Sequence, residues 1–138
     1  MRSMIPVLMT LGLFIGCFQP SSPLATHAPF AELTALSTAE VTGLTQSVDQ
    51  PLIVEFSVPH GCVRCAEMRP KVERIASEQS ASISIKRADF VANQPLLQSL
   101  GATVCPTYVL FTPNAPPQIH TSPDILISMA SHSTVAGH

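Results

Sequence analysis

The run Leu52-Ile53-Val54-Glu55-Phe56 passes through a Pro59-His60-Gly61 turn into Cys62-Val63-Arg64-Cys65. No other feature constrains the fold as much as this junction. The run is apolar at both alternating sets of positions except for Glu55, which predicts a strand covered on both faces. The residues after it follow a different period. Cys65, Met68, Val72, Ile75, Ala76 and Gln79 recur at helical spacing, with Glu67, Arg69, Lys71, Glu73, Arg74 and Glu78 on the other faces. A helix over 62–79 is predicted, kinked at Pro70, whose ring removes an amide donor.

The other elements follow from local signals. Ser37-Thr38-Ala39-Glu40 is a capping box, which starts a helix running to about Ser47. Ile83, Ile85 and Arg87 alternate with Ser84, Lys86 and Ala88, as a strand requires. Asn93 is placed to cap a helix over Pro95 to Leu100, closed by Gly101. Tyr108 to Phe111 reads as a third strand, Gln118 to Thr121 as a short edge strand, and Ile125 to Ala130 as a last helix. The order α-β-α-β-α-β-β-α combines βαβ and hairpin connections, so the expected class is α/β with a mixed β-sheet flanked by helices.

At 138 residues the chain accommodates one domain. Hydrophobic residues make up 46% and charged residues 12%, an apolar balance whose source begins at the N-terminus. Met4 to Phe18 carries no charge and follows Arg2, the pattern of an export segment. At fifteen residues it falls short of the ~20 of a spanning helix. Leu13-Phe14-Ile15-Gly16-Cys17 resembles the bacterial lipobox, in which the cysteine is lipidated, with Phe14 where that pattern prefers Leu. Lipidation at Cys17, simple secretion and an uncleaved anchor are the three readings. Each places the remainder outside the cytosol, where disulfides persist. Residues 1–17 are thus read as a targeting segment and 18–29 as a Pro/Ser-rich linker. Residues 30–138 are the folded domain. A net charge of −2 gives no basic footprint for nucleic acid.

Cysteines at C-x-x-C spacing on a first helical turn can close a small disulfide, and only Cys62 lies at the open helix end. Unpaired amides and the positive end of the helix dipole stabilise its thiolate there. Cys62 is therefore the expected attacking thiol and Cys65 the resolving one. Arg64 between them, and His60 when protonated, are candidates to lower the Cys62 pKa further.

These residues resemble the thioredoxin family. The strand 52–56 looks like its central strand, and Cys62 and Cys65 match its redox pair. Pro70 matches its kinking proline, and Gly101 to Phe111 (GATVCPTYVLF) matches its Gly, Pro-Thr and apolar strand. The resemblance implies a thioredoxin-like fold and a thiol–disulfide oxidoreductase. It makes Pro106 the cis-proline facing the pair, and sets Cys105, Pro106 and Thr107 against an extended client. It also makes Glu55 the buried acid that moves the proton of Cys65. A carboxyl in a buried strand has a raised pKa, which suits that role. Lys86 is the candidate partner of Glu55 across the sheet. The chain departs from the family pattern in lacking the usual Trp before the first cysteine. Its Val63-Arg64 dipeptide is similar to that of membrane-linked periplasmic thiol reductase domains, and Cys105 stands where the family has Ile, Val or Thr.

The expected partners are protein thiols and disulfides together with an upstream redox partner, with a membrane tether at the N-terminus and no dissociable organic cofactor. Two other readings stay open. Cys62, Cys65 and Cys105 can form a metal-binding or metallochaperone module, with His60 as a fourth ligand. Alternatively, the domain binds clients without catalysis.

Overall fold

A computed structural model describes residues 32–81, 83–125 and 127–128. The targeting segment, Cys17, the linker, Phe30 and the end of the last expected helix at Ala130 lie outside the described residues. Among the described residues the elements are β1 (Ala35–Leu36), α1 (Thr38–Gln46), β2 (Leu52–Ser57), α2 (Val63–Gln79), β3 (Ser84–Asp89), α3 (Gln94–Ser99), β4 (Thr107–Phe111) and β5 (Gln118–His120). Residues 123–125 and 127–128 are helical.

The five strands form one mixed sheet in the order β1-β3-β2-β4-β5. β3 runs parallel to both β1 and β2. β4 runs antiparallel to β2, and β5 to β4. β2 is central and all six of its residues are buried, because both faces are covered. On one face Leu52, Val54 and Phe56 pack with Val41 of α1, Leu97 of α3, Val109 and Phe111. On the other, Ile53 packs with Val72 and Ile75 of α2, Ile85, Tyr108 and Leu110. A strand between two apolar layers needs apolar side chains of both parities, which explains the unbroken run.

Local chemistry sets the element ends. The Ser37 hydroxyl accepts from the Glu40 amide, and the Glu40 carboxylate accepts from the Ser37 amide at 2.7 Å. The Ser37 hydroxyl also donates to the Glu40 carboxylate at 2.7 Å, and this bond, followed by the one from the Ser37 amide, holds the Glu40 carboxyl below its ordinary pKa. α3 is closed by Gly101 at φ 80°, with the Ala102 amide donating to the Leu97 carbonyl at 2.8 Å. The left-handed conformation there is one that glycine adopts without a Cβ clash.

Two expectations need correction. Asn93 precedes α3 but its side chain makes no cap. Its buried amide donates instead to the Asp89 carbonyl at 2.8 Å, while the Asp89 carboxylate accepts from the Ala92 amide. β1 was not foreseen. At two residues it is too short to show alternation, and only its parallel pairing with Arg87 and Ala88 of β3 defines it.

Candidate active site

The C-terminal end of β2 delivers the chain into a loop over 58–61, where Gly61 has φ 78°. That left-handed residue turns the backbone into Cys62, which is extended (φ −124°, ψ 105°) and serves as the N-cap of α2. Its Sγ accepts from the Cys65 amide at 3.0 Å. Cys62 and Cys65 are joined in a disulfide, with Cα atoms 5.2 Å apart. The two sulfurs differ in access, since Cys62 is half-buried and Cys65 is only 1% exposed.

The loop before β4 meets this pair. The Cys105–Pro106 peptide is cis. The Cys105 carbonyl oxygen lies 3.8 Å from Cys62 Sγ, and Cys105 Sγ lies 3.2 Å from Cys65 Sγ. All three sulfurs fall within 4.8 Å of one another. Cys105 is half-buried, and burial pushes its thiol pKa up, with the Glu55 and Asp89 charges adding to the rise and the Val58 amide opposing it. Val63 and Val104, the chain neighbours of Cys62 and Cys105, are 77% and 47% exposed. Pro106 is buried. Thr107 is 1% exposed and its hydroxyl donates to the Val104 carbonyl, so its side chain shapes the loop and does not face outward.

Glu55 is fully buried, on the sheet face that Ile53 shares with α2. Lys86 is not its partner. The register sets Val54 opposite Lys86, which is exposed, and Glu55 opposite Arg87. Arg87 Nε donates to Glu55 Oε2 at 2.7 Å and Nη1 to Glu73 Oε1 at 2.9 Å. The Tyr108 hydroxyl lies 3.4 Å from Glu55 Oε1. Burial raises the Glu55 carboxyl above its ordinary pKa, against the opposing pull of Arg87 and Tyr108. Burial and the neighbouring Glu55 also hold the Tyr108 phenol well above its usual value. For Arg87, burial works against the charge, but Glu55 and Glu73 together keep its pKa raised. Arg87 and Ser57 also border a cavity of ≈380 Å³ beneath the loop, with Arg69 and Pro59.

Arg87, Glu73 and Tyr108 were missed as site residues. One signal for Arg87 was present, since it shares its alternation with the apolar Ile83 and Ile85 while Lys86 falls on the other set. Helical spacing sets Glu73 off the apolar stripe of α2, yet its carboxylate pairs with Arg87 of the sheet at 2.9 Å. Arg64 is exposed, and its guanidinium donates to the Thr121 carbonyl at 2.9 Å. His60 is exposed and is not part of the three-sulfur group, so a fourth ligand role is not supported among the described residues.

The model of the thioredoxin family matches residues 33–126. Among solved structures, oxidised mitochondrial thioredoxin 3 from Saccharomyces cerevisiae is similar at 18% identity and a TM-score of 0.59, covering 76% of this chain and 99% of that one. Chloroplastic thioredoxin z is similar at 22% identity and a TM-score of 0.61, with 78% and 97% covered. Thioredoxin from Trypanosoma brucei brucei is similar at 15% identity and a TM-score of 0.59, with 80% and 96% covered. At these identities the likeness establishes the fold. Comparison with curated proteins gives no match.

Proposed function

The chain belongs to the thioredoxin family and is a thiol–disulfide oxidoreductase, and from that premise we propose that it exchanges disulfides with protein clients outside the cytosol. The observation that carries this reading is the asymmetry of the pair. Cys62 caps a helix, receives the Cys65 amide at 3.0 Å and is half-buried, whereas Cys65 is enclosed. In the reduced chain the same amide and the helix end favour the Cys62 thiolate. That thiolate attacks a client disulfide and forms a mixed disulfide, and Cys65 then attacks Cys62 Sγ and releases the client as a dithiol. Run in reverse, the oxidised pair passes its disulfide to the client.

Glu55 takes the proton of Cys65, and its raised pKa supports that role. The client strand lies along the backbone at Cys105 and Pro106, where exposed Val104 and Val63 offer apolar contact. Thr107 shapes this edge from within. Arg64 adds positive charge near the helix end, and His60 does so only when protonated. An upstream thiol partner renews the pair. Cys17 tethers the chain to a membrane as a lipoprotein.

The test is trapping. Cys65→Ser leaves Cys62 without its resolving thiol, so client proteins should accumulate as mixed disulfides on Cys62 in an extracytoplasmic fraction. Cys62→Ser should trap none. Equal capture by both variants, or exchange by the native pair no faster than by a free thiol, overturns the reading.

The three-sulfur group favours a second reading, in which the reduced chain holds a soft metal on Cys62, Cys65 and Cys105. Metal analysis after anaerobic purification under reducing conditions tests it. Stoichiometric metal that resists mild chelation supports it, and metal-free protein rejects it.

A further inference from the structure

We propose that Cys105 is a third redox residue that forms a disulfide with Cys65, so that the site holds two interchangeable pairs. The inference rests on the thiol-exchange reading above and extends it to a residue that reading uses only through its backbone. Three observations carry it. The Cys105 sulfur touches Cys65 Sγ at 3.2 Å while the Cys62–Cys65 bond is intact, so a nucleophile is already against one end of that bond. The sulfur it touches is the enclosed one, which bulky clients cannot approach. The sulfur at the far end, Cys62, is the one that receives the Cys65 amide at 3.0 Å at the start of α2.

The three sulfurs lie within 4.8 Å of one another, so Cys105 Sγ stands off the axis of the Cys62–Cys65 bond and swings onto it to attack. The Cys105 thiol loses its proton to water, and its sulfur attacks Cys65 Sγ. The Cys65–Cys105 bond forms as the Cys62–Cys65 bond breaks, and Cys62 leaves as a thiolate. One disulfide replaces another, so no external oxidant or reductant is needed. Thiolates of lower pKa leave faster, and an amide at a helix end lowers the pKa. The oxidised chain can then present a free Cys62 nucleophile at its surface. With only two cysteines, oxidation would occupy both.

The test combines peptide mapping with alkylation. Among the three site cysteines, oxidised wild-type protein treated with iodoacetamide should carry one label, on Cys62, with Cys65 and Cys105 linked. In Cys62→Ser, where serine remains a good N-cap, oxidised glutathione should produce the Cys65–Cys105 disulfide and release two glutathione molecules per chain. Label confined to Cys105 with Cys62–Cys65 intact, or a Cys62→Ser chain that forms no internal disulfide, overturns the proposal. The exchange rate of the native chain separates this from the underlying reading. If the native chain exchanges disulfides faster than a free thiol while either overturning result holds, only the third-thiol inference fails. If it does not, the exchange reading fails as well.

Discussion

Arg87 is 6% exposed and holds two carboxylates, one from the neighbouring strand and one from the helix above it. A buried charge stripped of its partner is costly, since neither water nor a counter-ion replaces the lost contact. Arg87→Met should therefore lower unfolding stability by about 3–5 kcal/mol, measured by urea denaturation. Adding Glu55→Gln to that variant should recover part of the loss, because it removes the orphaned buried charge. Glu55 itself makes a pH prediction. Its folded pKa lies above the ordinary 4.5. Its contribution to stability is thus full below the unfolded pKa and is lost as pH rises through the folded value. The stability of the native protein relative to Glu55→Gln should fall as pH climbs from about 4.5. A difference that stays level across that range would show that the buried carboxyl is not raised. The identity of the partner was half legible in the chain. Alternation set Arg87 with Ile83 and Ile85, but whether Arg87 or Lys86 stood opposite Glu55 depended on a register that no local signal encodes.

At the scale of elements, the turns and caps carry most of the readable signal. Ser37 with Glu40, Gly101 after α3, and the strand-to-helix switch at Gly61 follow from side-chain chemistry within a few residues. Gly101 gives a direct check. At φ 80° nothing lies within 4 Å of a Cβ built there, so Gly101→Ala meets backbone strain alone. It should cost roughly 1–2 kcal/mol, seen as a lower urea midpoint with an unchanged slope. The failures at this scale have a common cause. Asn93 is a good N-cap by type, yet a buried amide takes whichever acceptor the fold supplies, here the Asp89 carbonyl. β1 exists only because β3 offers it an edge.

For the whole molecule, α2 on one face and α1 with α3 on the other enclose β2 and fix its C-terminal end under the disulfide. The loop from the far side of the sheet brings Cys105 to the same point, forty residues after Cys65 in the chain. The tether proposed for this domain is tested apart from its chemistry. Cys17→Ser should move the protein from the membrane to the soluble fraction without changing its exchange rate. Retention in the membrane fraction would instead point to an uncleaved anchor. The targeting segment rests on hydropathy and charge alone, which a contiguous stretch of sequence carries in full.

The mixed α/β class, the central buried strand, the placement of Cys62 at a helix start and the pairing of Cys62 with Cys65 are legible in the chain alone. These depend on periodicity, capping and spacing within short stretches, where chain neighbours are also neighbours in space. The pairing of Arg87 with Glu55, the inward turn of Glu73, the bond of Arg64 to Thr121 and the Cys105 sulfur 3.2 Å from Cys65 arise from the folded arrangement. Each of these contacts joins residues from separate elements or loops, and sheet register and helix packing set their distances.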